Sequence, residues 1–386
     1  MIYLDHAATT PISDKALEVY LNVARHYFGN PSSMHDEGSS AEQILEASKK
    51  TLAVTLNARP KDVFFTSGAS ESSFLAIYSL LKARDGKHII TTPIEHSSVR
   101  NIFIKLEREG YEVSTVSVDE FGQVDLGELR SLVREDTALA SVQHVNSEIG
   151  TIQDLEAIGK FLHSKNILLH SDCVQSFGRI PLNINSLNVD ALSISGHKIY
   201  GPKGVGAVWM NPKANWKPVF PDSDNQHKFK PGTSDVPSIA AFATAAKQVT
   251  QNSPKEQERI GSFRKKLITE LQQLPFECEI LEHAEHKVPN ILGLRFPGME
   301  GQFLMLECNQ AGLAISTGSA CQVGSEKPNK TMTAIGKSEQ EAREFIRLSF
   351  GKENSEEQIS QIIQKMNVIL ERHFQKVNHH KSKKGS

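Results

Sequence analysis

The chain has 386 residues, a formal net charge of −2, 39% hydrophobic residues and 23% charged ones. A single hydrophobic core stops growing near ~250–300 residues, so this length points to two domains. The composition excludes a disordered chain, and the near-neutral charge sets up no strong field toward nucleic acid or membrane.

The opening MIYLDHAATTP has neither a basic stretch nor a long apolar run, which argues against a secretory signal. No apolar run is long enough to span a bilayer. Cys173, Cys278, Cys308 and Cys321 form no CxxC pair, so a disulfide framework or zinc site is not expected. Reduced thiols in the cytoplasm are the expectation.

FFTSGASESSFLAI (64–77) reads as a strand, a Ser-Gly-Ala-Ser turn and a helix with Leu75 and Ile77 inward. Backbone N–H groups at such a helix start bind anions, which makes Ala69 and Ser70 phosphate candidates. The alternative is simple capping by Ser67 or Ser70. HIITT (88–92) is a strand, and His96 follows it, placed to stack on an aromatic ligand or exchange protons, or else to serve structure alone. SSVRNIFIKLEREG is a helix ending at Gly110. YEVSTVSV (from 111) and ALASVQHV (138–145) are strands. The stretch from Asp154 to Asn166 is a helix with Leu155, Ile158, Phe161 and Leu162 on one face.

ILLHSD is the next strand and ends on Asp172, where open α/β sheets bind ligands. A carboxylate there suits a protonated pyridine nitrogen, with Gln175 near the ring's phenolic oxygen; the alternative is a helix N-cap. DALSI then leads into SISGHKIYGPKG (193–204). The small residues Ser195 and Gly196, with His197, let backbone approach an anion, and Lys198 is placed to form a Schiff base. The alternative is a solvated lysine in a turn. The polar, Pro-rich stretch 211–235 predicts a long surface excursion. A charged helix over 254–274 leads to a second domain, which holds the strand NILGLRF and the helix SEEQISQIIQKMNVILERHF. Between these last two, AISTGSACQVGSEKP (314–328) puts Cys321 among small residues. On an exposed loop it would be a nucleophile, otherwise an incidental cysteine. The other three cysteines read as packing residues. The terminal HHKSKKGS reads as frayed, and its histidines do not suggest a metal site.

Strand–helix–strand alternation predicts an α/β fold: a large domain (12–250) with a mostly parallel mixed sheet flanked by helices. A smaller α+β domain comprises 1–11 and 251–375, with 376–386 a disordered tail.

The motifs YLDHAATTP (3–11), GNPSSMH (29–35), FTSGASES (65–72), EHSSV (95–99), HVNSEIGT (144–151), SGHKIYGPKG (195–204), STGSAC (316–321) and IRLSFG (346–351) occur together in this order. Through them the chain resembles the cysteine desulfurases, the NifS/IscS-like branch of fold-type I pyridoxal-phosphate enzymes, over nearly its whole length. The resemblance implies conversion of L-cysteine to L-alanine, with the sulfur passing to an enzyme cysteine as a persulfide. Lys198 resembles the lysine that holds pyridoxal phosphate and Asp172 the partner of its ring nitrogen. Gln175 and Asn146 resemble the ligands near the ring oxygen, and His96 the stacking histidine. Ala69, Ser70, Ser195 and His197 resemble the phosphate cradle, with Gly196 beside them as a further cofactor-binding residue. Thr233, in KPGTSD, resembles a threonine that reaches the phosphate bound by the partner subunit, which implies a homodimer. Arg347, with Asn146, resembles the substrate-binding pair, the arginine clamping the carboxylate. Cys321 resembles the persulfide cysteine, and in such enzymes also a ligand of a transient iron–sulfur cluster; no resident metal is implied.

Partners implied are L-cysteine and a sulfur-acceptor protein, either an iron–sulfur scaffold or a client apoprotein. SDCVQ and STGSACQ are similar to a bacterial subgroup whose expected client is quinolinate synthase. The chain departs from the family at NQHKFK, where Lys230 stands in place of an arginine. It also has Ser147 for a frequent asparagine and Ser70 for a frequent threonine. Alternatives on the same fold are an aminotransferase, a selenocysteine lyase, or a non-catalytic scaffold.

Overall fold

The computed structural model describes residues 1–222, 226–318 and 328–384, the side chains of residues 227 and 377–384 apart. Twelve strands occur among the described residues: β1 (Ile2–Tyr3), β2 (Val63–Thr66), β3 (His88–Thr91), β4 (Glu112–Thr115), β5 (Thr137–Ser141), β6 (Leu168–Asp172), β7 (Ala191–Ser195), β8 (Gly206–Met210), β9 (Glu279–Leu281), β10 (Ile291–Arg295), β11 (Leu313–Ala314) and β12 (Phe345–Ser349). Seven form one sheet in the order β2-β8-β7-β6-β5-β3-β4. Only β8 runs against its neighbours; the other pairings are parallel. This is the mostly parallel mixed sheet that the sequence predicts.

The central strands are buried on both faces because their apolar residues are unbroken and strand side chains alternate sides. Ile90, Ala140, Leu169, Leu192 and Ala207 enter one core. Their immediate neighbours Ile89, Leu139, Leu168, Ala191 and Val208 enter the other. A third core forms on the antiparallel sheet β12-β10-β9, where Leu292, Leu294, Ile346 and Leu348 meet Phe263, Leu267, Ile362 and Met366. Ile2 and Leu4 join that third core, and β1 pairs with β11, so the N-terminus lies among C-terminal elements.

Several elements differ from expectation. The strand from Tyr111 onward is confined to Glu112–Thr115, because it lies at the sheet's outer edge and is paired on one side only. The run over 138–145 is a strand only as far as Ser141; beyond it the side-chain amides of Gln143 and Asn146 both donate to the Ile94 carbonyl, beside His96. The connecting helix spans Val236–Gln272 and passes through Pro254. A helix-interior proline costs about 3 kcal/mol, but Phe242 and Ala245 on one side and Phe263 and Leu267 on the other bury both halves in different cores. The 211–235 stretch is not a free excursion. Phe229 is fully buried and stacks on Phe64 at 4.3 Å, Trp216 meets Phe64 at 5.5 Å, and the Gln226 amide bonds both the N–H and the C=O of Phe65. It thereby covers the open edge of β2, a surface that invites unwanted pairing. The last helix, Glu357–Lys384, runs through most of the stretch read as frayed.

Candidate active site

The C-terminal ends of the parallel strands share one rim. Ser67–Ser70 follow β2, His96 follows β3, Gln143–Glu148 follow β5, Asp172 closes β6 and Ser195–Lys198 end β7. They bound a cleft of about 510 Å³ that also takes in Ala7, Gln175 and Arg347. Crossovers bring these loops to one side of the sheet, where such folds bind ligands.

Lys198 ends the short 3₁₀ turn after β7. Its Nζ donates to the carbonyls of Ala7 (2.6 Å) and Ala8 (2.8 Å). Burial, then the cations Arg347 and Arg179, push its pKa down to about 7. That disfavours the ammonium by roughly 5 kcal/mol relative to a solvated lysine, so a nucleophilic neutral amine is well populated near neutrality. A second cavity, of about 460 Å³, also touches Lys198, but it is lined by Arg179, Tyr200 and Arg259 and lacks the Asp172 carboxylate.

Asp172 is buried and its Oδ1 accepts from the Val174 N–H at 2.9 Å. Burial raises its pKa, while the nearby His96 and Lys198 charges oppose that rise. The turn bond resembles capping, but no α-helix starts there, so the N-cap alternative fails. His96 does cap a helix, Ser97–Arg108: its Nδ1 accepts from the Ser98 N–H at 3.2 Å. Nε2 is the ring nitrogen left for the cleft. Desolvation there lowers the His96 pKa. The structural and functional readings of His96 hold together.

Gly68, not Ser67 or Ser70, is the N-cap of the helix Ala69–Leu81, and no side chain caps it. Its φ of +143° suits glycine. Ala69 and Ser70, at this helix start without a side-chain cap, line the cleft together with Ser195 and His197. Gly206 permits the close approach, since a Cβ there would lie 2.9 Å from the Gly68 backbone. Gly196 is buried behind the cradle and its N–H is bonded to Val205. The Lys230 ammonium reaches Glu71 at 3.4 Å on the same helix.

An amine for an aldehyde, a buried carboxylate for a ring nitrogen and an uncapped helix start for a phosphate fit pyridoxal phosphate. The remaining predicted residues divide. Arg347 reaches the cleft, with one guanidinium nitrogen on Asp5 (2.6 Å), another on the Ser147 carbonyl (2.8 Å), and its Nε unpartnered. Gln175 lines the cleft, with Nε2 on the Ala7 carbonyl at 3.0 Å and Oε1 held by Arg179. Asn146 is buried deeper: its Oδ1 closes the turn by accepting from Glu148 and Ile149 N–H. Thr233 is exposed and outside this chain's own cleft. Cys321 lies outside the described residues. Cys173 and Cys308 are buried, and burial pushes these thiols and that of Cys278 up to about 12. Among the described residues no group of three or more His, Cys, Asp or Glu is placed to hold a metal ion.

The sequence reading missed Arg179 and Glu95. Arg179 donates to the His6 carbonyl and helps depress Lys198. Glu95 is buried, and burial raises its pKa to about 8; its Oε1 accepts from the Gln143 N–H and the Thr92 hydroxyl, joining the ends of β3 and β5. Glu95 adjoins His96 in sequence, the one signal that pointed near it.

The geometry defines a class, and the chain belongs to it: residues 2–362 match the class-V aminotransferase family. Within that class the chain is 43% identical to a NifS protein of Bacillus subtilis strain 168 that carries a provisional cysteine desulfurase name, covering 96% of this chain and 95% of the relative. It is 34% identical to cysteine desulfurase IscS 1 of Archaeoglobus fulgidus, over 96% of this chain and 97% of the relative. Among solved structures, a NifS-like protein superposes with a TM-score of 0.89 at 32% identity, covering 96% of this chain and 99% of that one. A structure titled SspA in complex with cysteine superposes with a TM-score of 0.80 at 30% identity, covering 91% and 99%.

Proposed function

We propose that this chain is a pyridoxal-phosphate cysteine desulfurase. The observation that carries the reading is the Lys198 amine, its pKa held near neutrality in a cleft that it shares with the buried Asp172 and with His96. The names of the relatives support the substrate. The net reaction is L-cysteine plus the Cys321 thiol giving L-alanine plus the Cys321 persulfide: the substrate C–S bond breaks and one S–S bond forms.

Pyridoxal phosphate, when bound, supplies an electron-withdrawing ring that stabilises negative charge at the substrate Cα. The chain does the rest. Lys198 holds the cofactor and moves the Cα proton. Asp172 keeps the ring nitrogen protonated, with Gln175 and Asn146 toward the ring oxygen. Ala69, Ser70, Ser195 and His197 hold the phosphate, with Gly196 behind them, joined by Thr233 of a second copy in a homodimer. Arg347 takes the substrate carboxylate, and its unpartnered Nε is the donor available. His96 handles the proton at the substrate thiol. Cys321 accepts the sulfur for an iron–sulfur scaffold or client apoprotein, quinolinate synthase being the client the subgroup resemblance suggests. In this reading 12–250 is the cofactor-binding domain, and 1–11 with 251–375 is the smaller domain whose sequence carries Cys321. No described helix is long and apolar enough to cross a membrane, and the working compartment in this reading is the cytoplasm.

Product analysis tests it. Purified holoenzyme given L-cysteine and a thiol reductant yields alanine and sulfide in equal amounts. Pyruvate as the major product, or a protein that takes up no cofactor, would sink the reading.

The Lys198 environment makes a separate pH prediction. Cofactor uptake requires the neutral amine, whose pKa is pushed down from the ordinary 10.5 to about 7. Uptake of pyridoxal phosphate by apo-protein, followed by its absorbance, therefore quickens as pH rises to about 7 and levels off above. A rate still climbing toward pH 10 contradicts the depressed amine.

A further inference from the structure

Past its end at Ser141, the backbone of β5 continues beside β6: the Val142 and His144 N–H groups donate to the His170 and Asp172 carbonyls at 3.1 and 2.9 Å. The Gln143 N–H lies between these two and faces β3, which has already ended at Thr91. A buried N–H needs a partner, and here a side chain supplies it. Glu95 Oε1 accepts from the Gln143 N–H at 2.7 Å and from the Thr92 hydroxyl at 2.9 Å. The Ile94 carbonyl accepts from the Gln143 side-chain amide at 2.6 Å. Gln143 thus holds the segment between β3 and the helix Ser97–Arg108 at two points.

His96 belongs to that segment and lines the cleft. The bonds of its Nδ1 stay within the segment, on the Ser98 hydroxyl and N–H. The tie to the next strand is made one residue earlier, by Glu95. Two consecutive N–H groups, of Gln143 and His144, therefore hold the Glu95 carboxyl and the Asp172 carbonyl. The neighbour of His96 and Asp172 itself are fixed to the same dipeptide. Glu95 is 2% exposed, and its Oε2 is buried without a partner, so Oε1 makes the join. Burial raises its pKa to about 8 against the pull of the Gln143 N–H. Near neutrality the group is mostly the uncharged acid, whose nearest mimic is an amide.

We propose that Glu95 is a positioning residue: its carboxyl joins the His96 segment to the end of β5 and so sets His96 against Asp172 across the cofactor site. The inference rests on the reading of His96 and Asp172 as cofactor residues. A misplacement of ~1 Å at such a site can cost on the order of 100-fold in rate. Attachment of the cofactor through Lys198 and binding of the substrate carboxylate by Arg347 do not depend on the join.

The test uses holoenzyme carrying Glu95→Gln, Glu95→Met, Glu95→Asp or His96→Ala, beside the wild type near neutral pH. Glutamine keeps an oxygen for both donors. Methionine fills the space and accepts neither bond. Aspartate draws the carboxyl back by one methylene, so it releases Gln143 or drags the His96 segment with it. Cofactor content, circular dichroism of the bound cofactor before substrate is added, and kcat and KM for alanine release are read together. In Glu95→Met, cofactor content and KM stay within about threefold of wild type, the dichroic band of the cofactor changes, and kcat falls about 10- to 100-fold. Glu95→Asp shows the same pattern with a fall of about 10-fold, and it decides the matter if Glu95→Met does not fold. Glu95→Gln recovers most of the loss. The proposal is overturned if the aspartate variant keeps the wild-type band and kcat, if cofactor content and KM worsen in step with kcat, or if glutamine is as slow as aspartate. His96→Ala separates the two claims. If it keeps the wild-type band and kcat, the reading of His96 fails, whatever the Glu95 variants do. If it slows by about 100-fold or more and the Glu95 variants match wild type, only the role of Glu95 fails.

Discussion

Replacing Lys198 by Ala yields a folded protein that forms no stable coloured complex with pyridoxal phosphate and makes no alanine from cysteine. The fold survives because the lysine's bonds are two N–H donations to the Ala7 and Ala8 carbonyls, which water in the cleft can replace. The chemistry does not, because one amine both holds the cofactor and moves the Cα proton. Nucleophilic and general-base roles together make the expected fall in kcat/KM at least about 10⁴-fold. Lys198→Arg does no better: a guanidinium stays protonated in proteins and cannot attack an aldehyde. Thermal melting checks the fold, and absorbance with alanine release checks the loss. Alanine formation within tenfold of wild type would remove Lys198 from the mechanism.

Replacing Cys321 by Ser separates the two halves of the reaction. The variant binds cofactor and cysteine as wild type does, because the residues proposed for those tasks are elsewhere, around Lys198, Asp172 and Arg347. Sulfur transfer needs a thiolate, and a serine hydroxyl offers none. Alanine release therefore falls by about 10²- to 10⁴-fold, and persulfide on the protein disappears. The other cysteines are poor substitutes. Burial pushes the thiols of Cys173, Cys278 and Cys308 up to about 12, leaving roughly one in 10⁴ as thiolate at pH 8. Persulfide appearing on one of those three in the variant at the wild-type rate would contradict the assignment.

What the sequence revealed of the site follows from where its residues stand. Asp172, His96 and Lys198 each come at or just after a short apolar strand, and parallel strands deliver such positions to one rim. Local pattern alone therefore marks them. Arg179 and Glu95 act through partners far away in sequence: Arg179 through His6, Glu95 through Gln143. No periodicity marks such bonds. The fold shows the same division. Unbroken apolar runs gave away the central strands, because burial on both faces demands them. The sequence predicts a helix only from Pro254 onward, since the continuity of Val236–Gln272 depends on two cores that the local sequence does not display. Phe229 and Trp216 were lost in a polar stretch for the same reason: two buried rings anchor a segment whose average composition reads as surface.

The central claim is that sulfur leaves cysteine through the Lys198 cleft and arrives on Cys321. Its most direct test is a single turnover of wild-type holoenzyme with sulfur-labelled L-cysteine, followed by peptide mass mapping without reductant and by assay of the released amino acid. The account predicts one labelled sulfur on the peptide bearing Cys321 and one alanine per active site. Label on a peptide bearing Cys173, Cys278 or Cys308, or pyruvate in place of alanine, would contradict it.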